Sequence, residues 1–341
     1  MIRDVRLSVL DQSPISEGAT NADALANTLD LARLADDLGY HRYWLAEHHG
    51  GPMLAGFAPE VLIPSVAAAT TRIRVGSGGV MLPHYSPFKV AEVFTLLAAM
   101  YPDRIDLGLG RASGTDPRTT FALQRDRSRA MPDDFPQQLG ELLGYFEGTL
   151  PQDHPFHSLA NWLPEQRPEV WLLGSSPQSR IWANEGDLRY AFADFINPDG
   201  ASFAKPADAV AVWVVCAETE EEAQRLASSS RMTLSLLRRG RLIQVPPPEK
   251  ALRYLDEYGS ESRGRRGVIG DPDQVRAGVE EVAQAYGAGE VIAVTITYDH
   301  EARRRSYELL AEAFGLGGGA AERPTGDRVA APAQVAGPDD S

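Results

Sequence analysis

The residues with the plainest capacity for chemistry are Glu47, His48 and His49, in the run Trp44-Leu45-Ala46-Glu47-His48-His49-Gly50-Gly51. A short β-like stretch leads into them and paired glycines follow. An acid and two imidazoles therefore stand where a strand passes into a loop. In proteins built of alternating strands and helices, the carboxyl ends of strands are where ligands bind. Imidazole is also the side chain whose ordinary pKa suits proton exchange near neutral pH. One of the two histidines can equally be a packed or capping residue, and their spacing does not separate the roles.

A second group is Gly174-Ser175-Ser176-Pro177-Gln178-Ser179-Arg180. Here a strand runs through a glycine and two serines into a helix opened by proline. Backbone N–H groups and hydroxyls at such a start form a phosphate cradle. A serine N-cap with no ligand has the same sequence. Arg111, at a neighbouring strand end, adds a guanidinium that can pair bidentately with phosphate. Gly78-Gly79 offers backbone without side chains, either a platform for something planar or an ordinary loop. Gly108 and Gly110 resemble a dinucleotide fingerprint at first sight, but no helix opens directly after them and the spacing is incomplete. Metal binding is not expected, because HExxH is absent and His84, His154, His157 and His300 lack complementary spacing. No GxSxG elbow is present for nucleophilic hydrolysis.

Composition bounds the rest. The 341 residues are 43% hydrophobic and 23% charged, enough to bury a large core. With 33 Lys and Arg against 47 Asp and Glu, the formal charge is −14, which argues against sequence-general binding of nucleic acid. The lone Cys216 excludes an intrachain disulfide and a cysteine-clustered metal site. The amino terminus lacks the apolar core of a signal peptide and no apolar run reaches membrane-spanning length, so a cytoplasmic protein without membrane contact is expected.

Apolar periodicity supplies the elements that must position these groups. Strands are predicted at 5–10, 41–45, 73–76, 104–109, 170–173, 190–193, 210–217 and 291–297. Helices are predicted at 21–38 with Asn21 as N-cap, from Pro59 to residue 70, from Pro87 to residue 100, and over 177–185, 218–237, 271–286 and 299–314. Eight apolar strands separated mostly by helices indicate an α/β protein: one eight-stranded parallel β/α (TIM) barrel over residues 1–314. An open doubly wound sheet is the competing topology. Residues 115–168, with one helix at 133–146, form an irregular insertion expected to act as a lid. Residues 315–341 are rich in glycine, alanine and proline and are expected to be disordered. Between residues 194 and 210, and again at 259–268, little room is left for outer helices.

Several of these stretches together resemble the bacterial luciferase-like flavin-dependent monooxygenases. They are Trp44 to His49, Arg74-Val75-Gly76-Ser77-Gly78-Gly79-Val80-Met81-Leu82-Pro83, Ala91-Glu92, and Arg104-Ile105-Asp106-Leu107-Gly108-Leu109-Gly110-Arg111. Leu172-Leu173-Gly174-Ser175-Ser176 and Tyr298-Asp299-His300-Glu301 extend the match nearly to Phe314. The resemblance implies the same barrel, with reduced FMN, or a deazaflavin in some branches, held at its mouth. It makes His48 the catalytic histidine, with Glu47 and His49 as neighbours. It places Gly78 and Gly79 at a strand end that often carries a non-proline cis peptide against the flavin ring, and Gly110 near the ring's oxygen-reactive edge. Arg111, Ser176 and Ser179 match positions that hold the phosphate, with Gly174 and Ser175 in the same turn. Activity on a small organic substrate with O2, a separate flavin reductase and a homodimer are implied as well. A deazaflavin-dependent hydride-transfer enzyme and a non-catalytic flavin binder are the alternatives. Trp162, Trp182 and Phe195 are candidates to line a substrate pocket.

Overall fold

The computed structural model describes residues 5–111, 116–124, 126–128, 133–259 and 267–317. Its first half alternates as expected: β1 (Arg6–Asp11), α1 (Asn21–Leu38), β2 (Arg42–Leu45), α2 (Pro59–Ala69), β3 (Arg74–Met81), α3 (Pro87–Met100) and β4 (Ile105–Gly110). The insertion holds α4 (Pro117–Leu123) and α5 (Phe135–Glu147). Then follow β5 (Glu169–Gly174), α6 (Pro177–Glu185), β6 (Arg189–Ala193), the single turn α7 (Ala201–Ala204), β7 (Ala209–Cys216), α8 (Glu220–Arg238), α9 (Pro248–Tyr258), β8 (Val268–Gly270), α10 (Pro272–Tyr286), β9 (Glu290–Val294) and α11 (His300–Phe314).

All strand pairings within this sheet are parallel. The order runs β1 to β7 in sequence, β9 pairs with both β7 and β1, and β6 pairs with β7, so eight strands close into a barrel. The ninth, β8, lies outside the ring against the carboxyl end of β7. The open sheet is thereby excluded.

Strand side chains alternate between two cores. Leu7, Val9, Tyr43, Val75, Leu107 and Phe192 point outward and pack under the helices. Leu10, Trp44, Trp171, Ala211 and Ile292 fill the interior. Trp44 meets Trp171 edge to face at 5.3 Å.

Below this apolar layer, at the amino ends of the strands, the barrel is plugged by charge. The buried Arg42 reaches Asp106 at 2.8 Å, Glu290 at 3.0 Å and Glu169 at 3.2 Å. Arg74 joins Asp106 at 2.6 Å and Arg189 joins Glu169 at 3.1 Å. The indole N–H groups of Trp44 and Trp171 donate to Asp106 and Glu169, each at 2.9 Å. Every buried charge here thus has an opposite partner, the condition for tolerating charge in an interior.

Several expectations need correction. Thr20, not Asn21, caps α1, because Thr20 and Asp23 form a reciprocal capping box. β3 does not end at residue 76 but continues to Met81, since β4 supplies pairing partners through Gly110. The last barrel strand ends at Val294 rather than residue 297. Between β7 and α10 there are two unpredicted elements, α9 and β8, so the α8–α9 hairpin is a second excursion. The shortage of room after β6 is real: only α7 fits. The 260–266 stretch, where little room for a helix is expected, and the tail beyond Gly317, expected to be disordered, lie outside the described residues.

Candidate active site

The acid and imidazoles end up at the carboxyl end of β2, as their sequence position required. The loop after β2 folds back on itself, the His48 N–H donating to the carbonyl of Gly56 at 2.9 Å. It is stitched to the loop after β1, Ile15 N–H to Met53 carbonyl at 2.8 Å, and the loop after β1 is stitched in turn to Val245 ahead of α9. Three loops remote in sequence therefore form one rim.

Glu47 is fully buried. One carboxylate oxygen lies 2.7 Å from His49 Nε2 and the other accepts the Met81 backbone N–H at 3.0 Å. The carboxylate thus ties the histidine loop to the end of β3, where the Gly78–Gly79 peptide is cis, as the resemblance implied. Side chains have no place at this strand end: a Cβ on Gly79 would sit 2.6 Å from the Gly108 carbonyl oxygen, and one on Gly78 would sit 2.6 Å from Leu10 Cδ1. His49 also meets His84 edge-on at 6.0 Å.

His48 is differently placed. Its Nδ1 is buried without a hydrogen-bond partner among the described residues. Burial pushes its pKa down to about 4, against the opposing pull of Glu47. At neutral pH it is a neutral imidazole on the wall of a cavity of about 570 Å³. That cavity is bounded on the barrel side by Trp213, Phe195 and Ile296, and on the other by the second half of α8, through Thr233, Leu234 and Leu237. Of the three aromatic candidates, only Phe195 lines it. Trp182 packs on Phe135, and Trp162 is 82% exposed.

The proposed phosphate residues gather at a different part of the mouth. The Arg111 guanidinium stands 5.4 Å from the Trp182 ring of α6. Ser176 occupies the N-cap of α6 but its side chain makes no capping bond. The Ser179 hydroxyl is turned inward, donating to the Ser176 carbonyl at 2.7 Å and lying 3.0 Å from the Tyr190 hydroxyl. It packs closely under Gly174, where a Cβ would come 2.1 Å from Ser179 Oγ. Ser175 is held through its carbonyl by Asn197 at 2.9 Å. Gly110 ends β4 beside Met81 of β3.

The insertion divides. α5 packs against α3 and buries Phe135, Leu139 and Leu142 in the outer core. The segment with α4 touches the site, where Thr119 covers Gly50 and Asp116 lines the cavity. The wall formed by α8 escaped prediction. Its signal was apolar residues on two faces: Met232 and Leu236 pack with Ala251 of α9, while Leu234 and Leu237 face the cavity. Among the described residues no group of three metal-binding side chains occurs, and no helix is long and apolar enough to cross a membrane.

Comparison with known proteins gives the family. The family model for luciferase-like monooxygenases matches residues 5–289. An N-acetyl-S-alkylcysteine monooxygenase of Bacillus subtilis is 36% identical over 328 residues, covering 91% of this chain and 98% of that protein. The crystal structure of apo-MsnO8 superposes with a TM-score of 0.84 at 40% identity, covering 93% and 99% of the two chains. At 19% identity, a likeness of fold alone, the oxygenating constituent of 3,6-diketocamphane monooxygenase from Pseudomonas putida, solved with FMN, gives a TM-score of 0.68 over 92% and 98%. From its barrel, its EHH loop and these matches together, the chain belongs to the luciferase-like monooxygenase family and is an enzyme of that kind.

Proposed function

We propose that the enzyme uses reduced FMN, delivered by a separate reductase, and O2 to oxygenate a small organic substrate in the cavity beside His48. The observation that carries this reading is the neutral His48 with an unpaired, buried Nδ1 on the wall of a largely apolar cavity. Such an atom calls for a polar partner, and a flavin edge or a substrate can provide one. The side-chain-free strand end at Gly78–Gly79 suits a flat ring, so the residues present fit the cofactor. When bound, reduced FMN supplies the electron pair that activates dioxygen, one oxygen atom entering the substrate and the other leaving as water. His48 holds a hydrogen bond at Nδ1 without carrying charge. Glu47 fixes His49 and the end of β3, and Phe195, Trp213 and Leu234 keep water from the reacting atoms.

The FMN phosphate is assigned to Arg111 and the start of α6, whose first N–H groups Ser176 leaves without a side-chain cap. Arg111→Ala is expected to weaken FMN about 10- to 150-fold, the worth of one charge-assisted contact. Riboflavin should lose little by comparison, and equal binding of riboflavin and FMN to the wild type would refute the site. Titration with a deazaflavin separates the hydride-transfer alternative. Product formation above the peroxide background, with a reductase present, separates the non-catalytic one.

The homodimer is assigned to the outer faces of α2 and α3. Val61, Leu96 and Met100 are each more than half exposed there, on adjacent helices. Leu96→Glu should convert a dimer to a monomer in light scattering with the far-UV spectrum unchanged. A wild-type monomer at micromolar concentration would overturn this.

A further inference from the structure

A second cavity, of about 460 Å³, opens at the other end of the barrel, where the amino ends of β1, β2 and β3 meet the end of α1. The His41 N–H donates to the Leu7 carbonyl at 2.8 Å, and the His41 carbonyl accepts the Arg74 N–H at 3.2 Å. These bonds hold the three strand starts side by side, and Arg6, His41, Arg72 and Arg74 all line the cavity. In a chain of formal charge −14, that lining is cationic.

The acids nearby do not cancel this charge. Arg6, Arg42, Arg74 and Arg189 share Asp106, Glu169 and Glu290, four guanidiniums to three carboxylates. Arg6 is the most exposed of the four, and its contact with Glu290 is long, 3.8 Å. The Arg72 guanidinium bonds only the Asp36 carbonyl among the described residues, at 2.8 Å. Asp36 is the one acid on the cavity, and its carboxylate is spent on the N–H groups of Thr71, Arg72 and Ile73 and the Thr71 hydroxyl. It also faces Arg104, whose guanidinium bonds carbonyls and the Thr70 hydroxyl but no carboxylate. His41 Nε2 is buried without a hydrogen-bond partner among the described residues. The cavity thus holds positive charge in excess of the acids that reach it, on guanidinium forks that suit an oxyanion.

We infer that this cavity binds a small dianionic oxyanion, a phosphate or a compact dicarboxylate, at the Arg6 and Arg72 guanidiniums, with Arg74 and His41 on its inner wall. The site is separate from the mouth, and the inference stands apart from the oxygenase reading. Its consequence falls on stability. An anion bound only by the folded chain relieves the excess charge beside the plug and favours folding by mass action.

Calorimetry on the full chain, saturated with oxidised FMN, tests the inference with inorganic phosphate and with malonate as probes. At least one should bind at a single site with a Kd on the order of 1 mM at low salt, and the tighter names the ligand's headgroup. Arg72→Gln should weaken it roughly tenfold, the worth of one charge-assisted contact, and Arg72→Lys should keep part of that. Arg6→Gln/Arg72→Gln should remove binding, with FMN affinity unchanged. At about ten times its Kd, the anion should raise the folded-to-unfolded ratio about tenfold. On the unaltered chain, the bound anion should slow phenylglyoxal modification of Arg6 and Arg72, read by peptide mass spectrometry, but not of Arg33, exposed on α1. Neither anion binding, binding kept by the double variant, or Arg6 and Arg72 left unprotected would each overturn the inference. So would anion binding that is seen without FMN and disappears when FMN is added, which would give the anion to the mouth.

Discussion

His48→Ala is expected to cut coupled product formation about 10²- to 10⁴-fold, the range typical of a lost acid–base or hydrogen-bonding group. FMN affinity should stay within roughly tenfold if, as proposed, the phosphate is anchored separately at Arg111 and the start of α6. With its pKa pushed down to about 4 by burial, His48 is uncharged through the physiological range. Its contribution to rate should therefore be flat from neutrality down to weak acid and fall only as pH approaches 4. The sign for stability is the same: an unfolded chain binds that proton near 6.5, so folding loses support as pH drops from 6.5 toward 4. His48→Gln, which keeps a polar atom, should recover part of the loss. His49→Ala should act differently, since it removes the partner of Glu47 and disturbs the end of β3. Product yield and peroxide release, measured side by side with a reductase present, distinguish the outcomes. Unchanged coupling in His48→Ala would dismiss the assignment.

The second large effect is expected far from the mouth. Arg42→Met would remove the cation at the centre of the charged plug and leave Asp106 and Glu290, both buried, with fewer partners. Breaking such a buried pair typically costs about 3–5 kcal/mol, or about 10 °C in Tm for a large domain. A pH dependence accompanies this. Burial works to raise Glu169, but Arg42, Arg74 and Arg189, with the Trp171 N–H, hold its carboxyl below the usual 4.5. Stability from that shift is complete above 4.5 and is lost as pH falls through the lowered folded value. In Arg42→Met less of that lowering remains, so the part of the acid-range loss due to Glu169 should shrink. Urea midpoints across the acid range measure both effects. A variant as stable as the wild type at neutral pH would show that the plug carries no net stability.

The barrel was legible because eight apolar runs alternate with helices of ordinary length, and each run pairs only with strands near it in the sheet. The plug was not. Ser8 and Glu290 bond directly although 282 positions separate them, and each charged member sits singly at or near a strand's beginning, where polar residues are ordinary. β8 has three residues, too few for a period, and α9 carries its apolar residues among charges. At the site, the Glu47-His48-His49 run announced itself. Which histidine the carboxylate takes, and its grip on Met81, depend on the register of β2 against β3. The second wall of the cavity was hidden in α8, read as one more outer helix.

The plug also governs traffic. With charge filling one end of the barrel and Trp44 and Trp171 its middle, the barrel axis is closed, and traffic to the reacting centre is confined to the side of the carboxyl ends. Two visitors arriving from the same side tend to hinder one another, the deeper entering first and leaving last. Steady-state kinetics are expected to show an ordered pattern, and a random one would mean that the two enter by separate routes.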